Sequence, residues 1–194
     1  MPELKRVLVF GDTHIPTRAN AIPEKFYSHI EEADYNLALI TGDLVQEHAM
    51  RQSLPPLPPS HIVQGNMDFG GGYDFQKSFY IEGFSILLLH GTQLSPRGNI
   101  SELVEIAEHV GAEIVIHGHT HDPSIDLHQD RLLLNPGTIT GATGGRGGRK
   151  EASFIELVLE REWISVELLT TDWTRVKRSV FEFTKTPSGI ERTK

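Results

Sequence analysis

The sequence predicts an α/β fold, a layered sandwich in which largely parallel strands are covered by helices. In the first half of the chain, short β-forming runs alternate with helical segments, as in parallel β-α units. In the second half, such runs follow one another without helices between them, which is typical of antiparallel hairpins. Several apolar runs also end in a cluster of polar residues, at the strand ends where open α/β sheets bind ligands.

The strands are expected where β-branched and other apolar residues form short runs. Each run is bounded by glycine, proline or polar residues that favour a turn. In chain order, the expected strands are Arg6–Phe10, Asn36–Thr41, His61–Gln64, Phe79–Ile81, Phe84–His90, Glu113–His117, Arg131–Leu134, Ser153–Leu159 and Trp163–Leu169.

Two segments have the pattern of amphipathic helices. Pro23 suits the first position of a helix, and Phe26 and Ile30 follow it on one face. The segment from Ile100 to Val110 places its apolar residues on a single face. Asn99 and Glu102 form a capping pair before it, and Gly111 is expected to end it.

Length and composition indicate one domain. The chain has 194 residues, of which 38% are hydrophobic and 23% are charged, and these values are typical of a soluble globular protein. No linker divides the sequence, so we expect a single domain over residues 1–194. Residues 171–194 are predicted to be a C-terminal extension with the character of a solvated tail.

Cysteine content and charge exclude or disfavour several classes of function. The chain contains no cysteine, which excludes disulfides, thiolate zinc sites, iron–sulfur clusters and cysteine nucleophiles. The formal net charge of −8 disfavours nucleic acid as a partner, because polyphosphates bind clustered cations. The sequence has neither a signal-peptide pattern nor an apolar run of about 18 residues, so we expect a cytoplasmic protein with no membrane partner.

Five polar clusters follow expected strands. They are Asp12-Thr13-His14, Gly42-Asp43, Gly65-Asn66-Met67-Asp68, His90-Gly91 and Gly118-His119-Thr120-His121. Because ligands gather at the carboxyl ends of strands, these clusters are expected to converge on one crevice. Burying so many carboxylates and imidazoles without partners would be unfavourable, and a bound metal would offset that cost.

The order and spacing of these clusters resemble the calcineurin-like metallophosphoesterase family over about residues 6–140. The resemblance implies a four-layer α/β/β/α sandwich with mixed sheets that holds two divalent cations. It assigns the first cation to Asp12, His14, Asp43 and His121, and the second to Asp43, Asn66, His90 and His119. Asp43 would then bridge the two, and an aspartate suits this role because neighbouring cations need a shared anionic ligand.

One position departs from the family pattern. The phosphomonoesterases of the family have a histidine where this chain has Met67, and a thioether can neither stabilise phosphate charge nor protonate a leaving group. The small prokaryotic phosphodiesterases of the family also lack this histidine. Asp68 is expected to orient a neighbouring ligand, and His117 either reaches the substrate or caps its strand.

The resulting functional prediction is a dimetal-dependent phosphodiesterase that acts through a metal-bridging hydroxide on a small phosphodiester. Asp43, Asn66, His90, His117 and Asp68 are the expected catalytic residues. Donor atoms that are only nitrogen and oxygen suit Mn²⁺, the expected metal, with Ni²⁺, Zn²⁺ and Fe²⁺ as alternatives. Two other functions stay open: a phosphomonoesterase, and a non-catalytic protein-binding scaffold similar to the retromer subunit of this fold. A homo-oligomer also stays open.

The glycine-rich segment from Gly137 to Gly148 includes Arg146 and is followed by Arg149 and Lys150. Two interpretations stay open for it. It is either a mobile loop that meets an anionic substrate or a flexible surface hairpin.

Overall fold

The computed structural model describes residues 4–145 and 147–194. Arg146 of the glycine-rich segment lies outside these residues. The helices are α1 (Glu24–Glu32), α2 (Glu47–Gln52) and α3 (Ile100–Val110). The strands are β1 (Lys5–Phe10), β2 (Leu37–Ile40), β3 (Ser60–Ile62), β4 (Gln76–Ile81), β5 (Phe84–Leu89), β6 (Ile114–Ile116), β7 (Ser124–His128), β8 (Arg131–Asn135), β9 (Ala152–Glu160), β10 (Trp163–Thr171), β11 (Val176–Thr186) and β12 (Gly189–Arg192).

The strands form two mixed sheets. The seven-stranded sheet has the order β12-β11-β10-β9-β1-β2-β3, and the five-stranded sheet has the order β4-β5-β6-β8-β7. Strands β1, β2 and β3 are parallel, whereas β9 to β12 are joined as antiparallel neighbours. In the other sheet, β5, β6 and β8 are parallel. The predicted α/β class with mixed sheets is therefore confirmed.

Alternation along the strands produces the layers. Val7 and Val9 on β1 face Ile86 and other apolar residues of the five-stranded sheet, in a core cluster between the two sheets. Leu8, on the other face of β1, packs with residues of α1 and α2. Helix α3 covers the outer face of the five-stranded sheet, where Leu103 packs with the neighbouring strands. Because side chains of a strand alternate between its faces, this pattern gives helix, sheet, sheet and helix in succession.

Helix α3 has the boundaries that its sequence predicts. The side chain of Asn99 accepts hydrogen bonds from the backbone N–H groups of Ser101 and Glu102 at 3.1 and 3.4 Å. Gly111 ends the helix with φ of 67°, a left-handed conformation that glycine adopts without strain. Glu102 does not complete a capping box with Asn99; its carboxylate accepts a hydrogen bond from the Ser95 backbone N–H at 2.8 Å.

The C-terminal residues differ from the expectation of a solvated tail. They form all of β11 and β12 and extend the seven-stranded sheet at its edge. Phe183 and Ile190 are each only 2% exposed and belong to the core cluster between the sheets. The expectation was wrong because it rested on charge alone, whereas Phe181, Phe183 and Ile190 pack against the core between the sheets. Their place in the sheet supports the proposal of one domain over residues 1–194.

No helix in residues 4–145 and 147–194 has both the length and the apolar character needed to cross a membrane.

Candidate metal centre

The polar clusters lie at the carboxyl ends of strands from both sheets. Asp12 and His14 follow β1, and Asp43 follows β2. Asn66 lies beyond β3, His90 directly follows β5, and His119 and His121 follow β6. Hydrogen bonds join these segments. Within the five-stranded sheet, the Gly118 backbone N–H donates to the His90 carbonyl oxygen at 3.0 Å. Between the two sheets, the His119 N–H donates to Asp12 Oδ2 at 3.0 Å. The structure therefore brings the clusters together at one edge of the sandwich.

The loops that carry these residues have an unusual backbone. Asp12, His14, Asp43, His119 and His121 all have positive φ, between 48° and 70°. Non-glycine residues uncommonly adopt this left-handed region. Where the conformation is strained, it raises the free energy of the fold by about 1–3 kcal/mol per residue. Because five candidate donor residues share this conformation, we infer that the backbone of these loops is determined by where the donor side chains lie.

The first group of donor atoms consists of Asp12, His14, Asp43 and His121, whose ligand atoms all lie within 4.8 Å of one another. Nε2 of His14 lies 3.2 Å from Nε2 of His121 and 3.4 Å from Oδ2 of Asp43. Nε2 of His121 lies 3.3 Å from Oδ1 of Asp12. All four residues are buried. Two imidazole nitrogens and two carboxylate oxygens therefore point at one another, an arrangement that suits a cation.

The second group consists of Asp43, His90 and His119. Nε2 of His90 lies 3.6 Å from Oδ1 of Asp43 and 3.1 Å from Nδ1 of His119. The side-chain oxygen of Asn66 lies 3.3 Å from the same nitrogen of His90, so Asn66 adds an oxygen donor to this group.

Asp43 is common to the two groups, and each of its oxygens faces one of them. Oδ1 also accepts a hydrogen bond from the Met67 backbone N–H at 2.8 Å. Gly65 lies so close that a Cβ atom on it would be 2.2 Å from Oδ1 of Asp43. The absence of a side chain at residue 65 is therefore required for the Asp43 carboxylate to occupy this place.

Backbone carbonyls orient two of the imidazoles. Nδ1 of His90 donates to the Thr41 carbonyl oxygen at 2.7 Å, and Nδ1 of His121 donates to the Ala142 carbonyl oxygen at 2.6 Å. Each bond places the proton on Nδ1, so the lone pair of Nε2 faces the candidate site. Such bonds behind a ligand fix its tautomer and ring orientation in metal centres.

Burial determines the charge states of the site in the metal-free chain. It raises the pKa of Asp12 well above its usual value, and the neighbouring Asp43 adds to this effect. It also raises the pKa of Asp43 to about 6. The same desolvation lowers the pKa of His14 to about 3 and those of His90 and His119 to about 4. The imidazoles are therefore neutral and able to coordinate a metal at neutral pH.

Two buried polar atoms of the first group have no hydrogen-bond partner within the described residues. They are Oδ1 of Asp12 and Nδ1 of His14. A buried carboxylate oxygen without a partner is unfavourable, and Oδ1 of Asp12 points towards Nε2 of His14 and His121, at 3.9 and 3.3 Å. A divalent cation among these atoms would satisfy the oxygen, so the residues present fit divalent metal binding.

Asp68 lies behind the two groups and supports them. Its Oδ2 accepts hydrogen bonds from the backbone N–H groups of Asp43 and Gly65, both at 2.8 Å. Its Oδ1 accepts from those of Leu44 and Val45 at 2.7 and 2.9 Å. The carboxylate thereby joins the loop after β2, which carries the candidate ligand Asp43, to the loop after β3.

His117 belongs to neither group of donor atoms. Its side chain is 3% exposed, and its Nδ1 lies 3.4 Å from the side-chain nitrogen of Asn135. Asn135 in turn donates to Oγ1 of Thr120 at 2.9 Å. Burial lowers the pKa of His117 to about 4. This position favours support of the loop that carries His119 over contact with a substrate.

Two arginines near the site were missed in the sequence analysis. Nη1 of Arg18 lies 3.5 Å from Nε2 of His14 and donates to the Thr143 carbonyl oxygen at 3.0 Å. Arg97, from the segment before α3, exerts its positive charge on Asp12 and on His119. Neither arginine lies in a recognisable motif, so only the folded chain reveals that they place positive charge beside the donor atoms.

The glycine-rich segment is paired at its base. Ala142 and Arg149 form an isolated antiparallel bridge, and the Lys150 backbone N–H donates to the Gly141 carbonyl oxygen at 2.9 Å. This pairing corresponds to the hairpin interpretation, and the hydrogen bonds of Arg18 and His121 to residues 143 and 142 place the hairpin beside the candidate metal centre.

Comparisons with known proteins agree with this geometry. The sequence model of the calcineurin-like phosphoesterase superfamily domain matches residues 6–157. A probable metallophosphoesterase of Methanothermobacter thermautotrophicus is 41% identical over 134 residues, which cover 68% of this chain and 76% of that protein.

Solved structures with the same fold include Vps29 proteins. Wild-type Vps29 of Entamoeba histolytica, in a crystal structure with Zn²⁺, is 28% identical, with a TM-score of 0.82 over 91% of this chain and 98% of that chain. Vacuolar protein sorting 29 of Cryptosporidium parvum is 24% identical, with a TM-score of 0.85 over 94% of this chain and 99% of that chain. The second of these likenesses concerns the fold alone.

Proposed function

The chain belongs to the calcineurin-like phosphoesterase superfamily, and from that premise we propose that it is a phosphodiesterase that works with two divalent cations. The observation that carries the proposal is the pair of donor groups that share Asp43. In this proposal Asp12, His14, Asp43 and His121 hold one cation, and Asp43, Asn66, His90 and His119 hold the other. When bound, such a pair of cations would neutralise charge on the phosphate and activate water for attack on phosphorus.

The residues of the chain prepare this site in three ways. The carbonyl groups of Thr41 and Ala142 keep the Nε2 lone pairs of His90 and His121 available. Asp68 holds the backbone of Asp43 in place. Arg18 and Arg97 add positive charge at the edge of the site, where an anionic phosphate would bind.

The preference for a diester rests on Met67. Its backbone N–H supports Asp43, which any non-proline residue could do, but its thioether cannot donate a proton to a leaving group. General acid catalysis is typically worth about 10²- to 10⁴-fold in rate, so substrates that need this help are expected to react slowly. A phosphodiester with a good leaving group is therefore the expected substrate class.

The cations are proposed to be Mn²⁺. The donor atoms are imidazole nitrogens and carboxylate or amide oxygens, without thiolate, and this set suits Mn²⁺ while also accepting Ni²⁺, Zn²⁺ or Fe²⁺. A comparison of the protein loaded with each metal, assayed on one diester, tests this choice. The cytoplasmic location and a homo-oligomeric state stay predictions.

The test of the function is Asp43→Asn, which keeps the size of the bridging side chain and removes its charge. We expect Mn²⁺-dependent hydrolysis of bis(4-nitrophenyl) phosphate to fall more than about 100-fold, because loss of the shared ligand affects both cations. Asp34→Asn is the control, since this exposed residue lies between α1 and β2, at the end of β2 opposite to Asp43. Full activity of Asp43→Asn would refute the assignment.

A phosphomonoesterase is the nearest alternative. The wild-type protein is compared on 4-nitrophenyl phosphate and bis(4-nitrophenyl) phosphate at one Mn²⁺ concentration. Faster hydrolysis of the monoester would contradict the interpretation of Met67.

A non-catalytic protein-binding scaffold is the second candidate. The observation that favours it is the similarity to Vps29 of Entamoeba histolytica, a protein whose name is not that of a hydrolase. The crystal structure of that protein contains Zn²⁺, so metal binding alone does not separate the two candidates. Hydrolysis by the metal-loaded protein does separate them, because a scaffold would bind the metal and leave the aryl diester intact.

A further inference from the structure

A cavity of about 300 Å³ lies beside the first group of donor atoms. It lies between residues 18–22, which follow His14, and the two sides of the glycine-rich hairpin. The side chains of Arg18 and Arg149 line it together with Trp173. No carboxylate is among the described residues of its lining, although the whole chain has a net charge of −8. The cavity is therefore suited to a ligand that is anionic or rich in hydrogen-bond acceptors.

One wall of the cavity is a stacked pair of planar groups. Cζ of Arg149 lies 3.6 Å from the centre of the Trp173 ring, a distance typical of two groups in face contact. The indole packs against the core cluster on the outer face of the seven-stranded sheet, and its Nε1 donates to the Lys150 carbonyl oxygen at 3.4 Å. The tryptophan is thus held in place while Arg149 remains exposed on it.

The cavity is connected to the metal centre through two residues. Arg18 lines the cavity, and its Nη1 lies 3.5 Å from Nε2 of His14, the nitrogen that faces the donor group. Ala142 also lines it, and its carbonyl oxygen accepts the hydrogen bond from Nδ1 of His121. A phosphate at the metal centre would therefore have one of its ester groups within reach of the cavity.

We propose that this cavity is a subsite for the nucleoside group of a phosphodiester substrate, with the base stacked on the Arg149–Trp173 pair. The proposal rests on the proposed function. Nucleobases stack on aromatic rings and on arginine guanidinium planes, and both are present here. The volume lies at the lower end of the range for small-molecule sites, which suits one nucleoside. Arg18 contacts the phosphate between the two sites.

The kinetic test compares two diesters that release the same 4-nitrophenolate: thymidine 5′-(4-nitrophenyl phosphate) and methyl 4-nitrophenyl phosphate. We expect the Mn²⁺-loaded protein to prefer the thymidine ester in kcat/KM. Trp173→Ala and Arg149→Gln should each reduce this preference about five- to 100-fold, the usual effect of losing one stacking partner, and leave the methyl ester rate unchanged. Trp173→Phe, which keeps an aromatic ring, should retain most of the preference.

A binding measurement tests the same subsite without metal or turnover. The chain has two tryptophans, so Trp163→Phe leaves Trp173 as the sole indole reporter. Titration with thymidine 5′-monophosphate should change its emission with a saturable dependence, and Arg149→Gln in the same background should weaken that binding. An equal response to inorganic phosphate alone would show an anion site and overturn the nucleoside assignment.

The outcomes separate the subsite from the function. If both esters are hydrolysed at the same kcat/KM and the Trp173 and Arg149 variants leave their ratio unchanged, the subsite is refuted and the phosphodiesterase stands. If the wild-type protein hydrolyses neither ester, the proposed function is refuted, and the fluorescence titration still decides whether the cavity binds a nucleotide.

Discussion

Replacement of Asp68 by asparagine should destabilise the protein by about 3 kcal/mol. Each carboxylate oxygen accepts two backbone N–H groups, those of Asp43 and Gly65 on one oxygen and those of Leu44 and Val45 on the other. Asparagine keeps one oxygen and turns an NH₂ group towards the other pair of donors, whichever way it is oriented. Two charge-assisted hydrogen bonds are then lost, at about 1.5 kcal/mol or more each.

The assay is urea unfolding of the metal-free protein, followed by circular dichroism. Because a domain of this size loses about 2–4 °C in Tm for each kcal/mol, we also expect Tm to fall by about 6–12 °C. Asp74→Asn is the matched control: this exposed residue, in the same loop region, pairs with Lys77 at 3.7 Å and should change stability by about 0.5 kcal/mol at most. An Asp68→Asn protein within about 1 kcal/mol of wild type would refute the role given to this carboxylate.

Three further predictions follow from the site. Met67→His should increase the rate on 4-nitrophenyl phosphate relative to the diester by about tenfold or more, since it restores a proton donor; an unchanged ratio in the steady-state assay would contradict this. Mn²⁺ at about 100 times its Kd should raise the Tm of the wild-type protein by about 5–10 °C and that of Asp43→Asn much less, as measured by calorimetry. Burial lowers the pKa of His117 to about 4 in the fold, from its usual 6.5, so the unfolded chain takes up this proton at a higher pH than the folded chain does. The free energy of unfolding therefore falls as pH falls from about 6.5 to 4. Urea unfolding across that range should show a smaller loss of stability for His117→Gln than for wild type.

The strands that lead to the site could be predicted because each is an apolar run followed by glycine and polar residues. β1 and β5 begin and end within one or two residues of their expected positions. β7 was missed because it is short and most of its residues are exposed, although Ile125 and Leu127 alternate with polar residues. The bounds of α2 could not be predicted because it has only six residues and buries Met50 alone. β11 pairs with β10, and β12 pairs with β11; these are tertiary contacts that the charged residues of the two strands do not indicate.

The candidate ligands could be predicted because imidazoles and carboxylates are chemically distinctive and their spacing resembles a known family. The groups that orient them could not. Thr41 and Ala142 act through backbone carbonyls, which every residue has, so no side-chain pattern marks them. Arg18 and Arg97 come from loops whose positions depend on the closure of the whole sandwich.

The candidate metal centre concentrates features that raise the free energy of the metal-free fold. Burial raises the pKa of both Asp12 and Asp43, which lie in one group, and several donor residues hold left-handed backbone conformations. Folded domains are stable by only about 5–15 kcal/mol. Buried carboxylates and left-handed backbone conformations are therefore tolerated where the surrounding strands hold them in place and a bound ligand offsets their free-energy cost. A surface that only docks another protein gains nothing from a buried carboxylate oxygen without a partner, whereas bound cations use it directly. The donor groups are therefore better explained by cations than by docking, and hydrolysis by the loaded protein decides whether those cations serve catalysis.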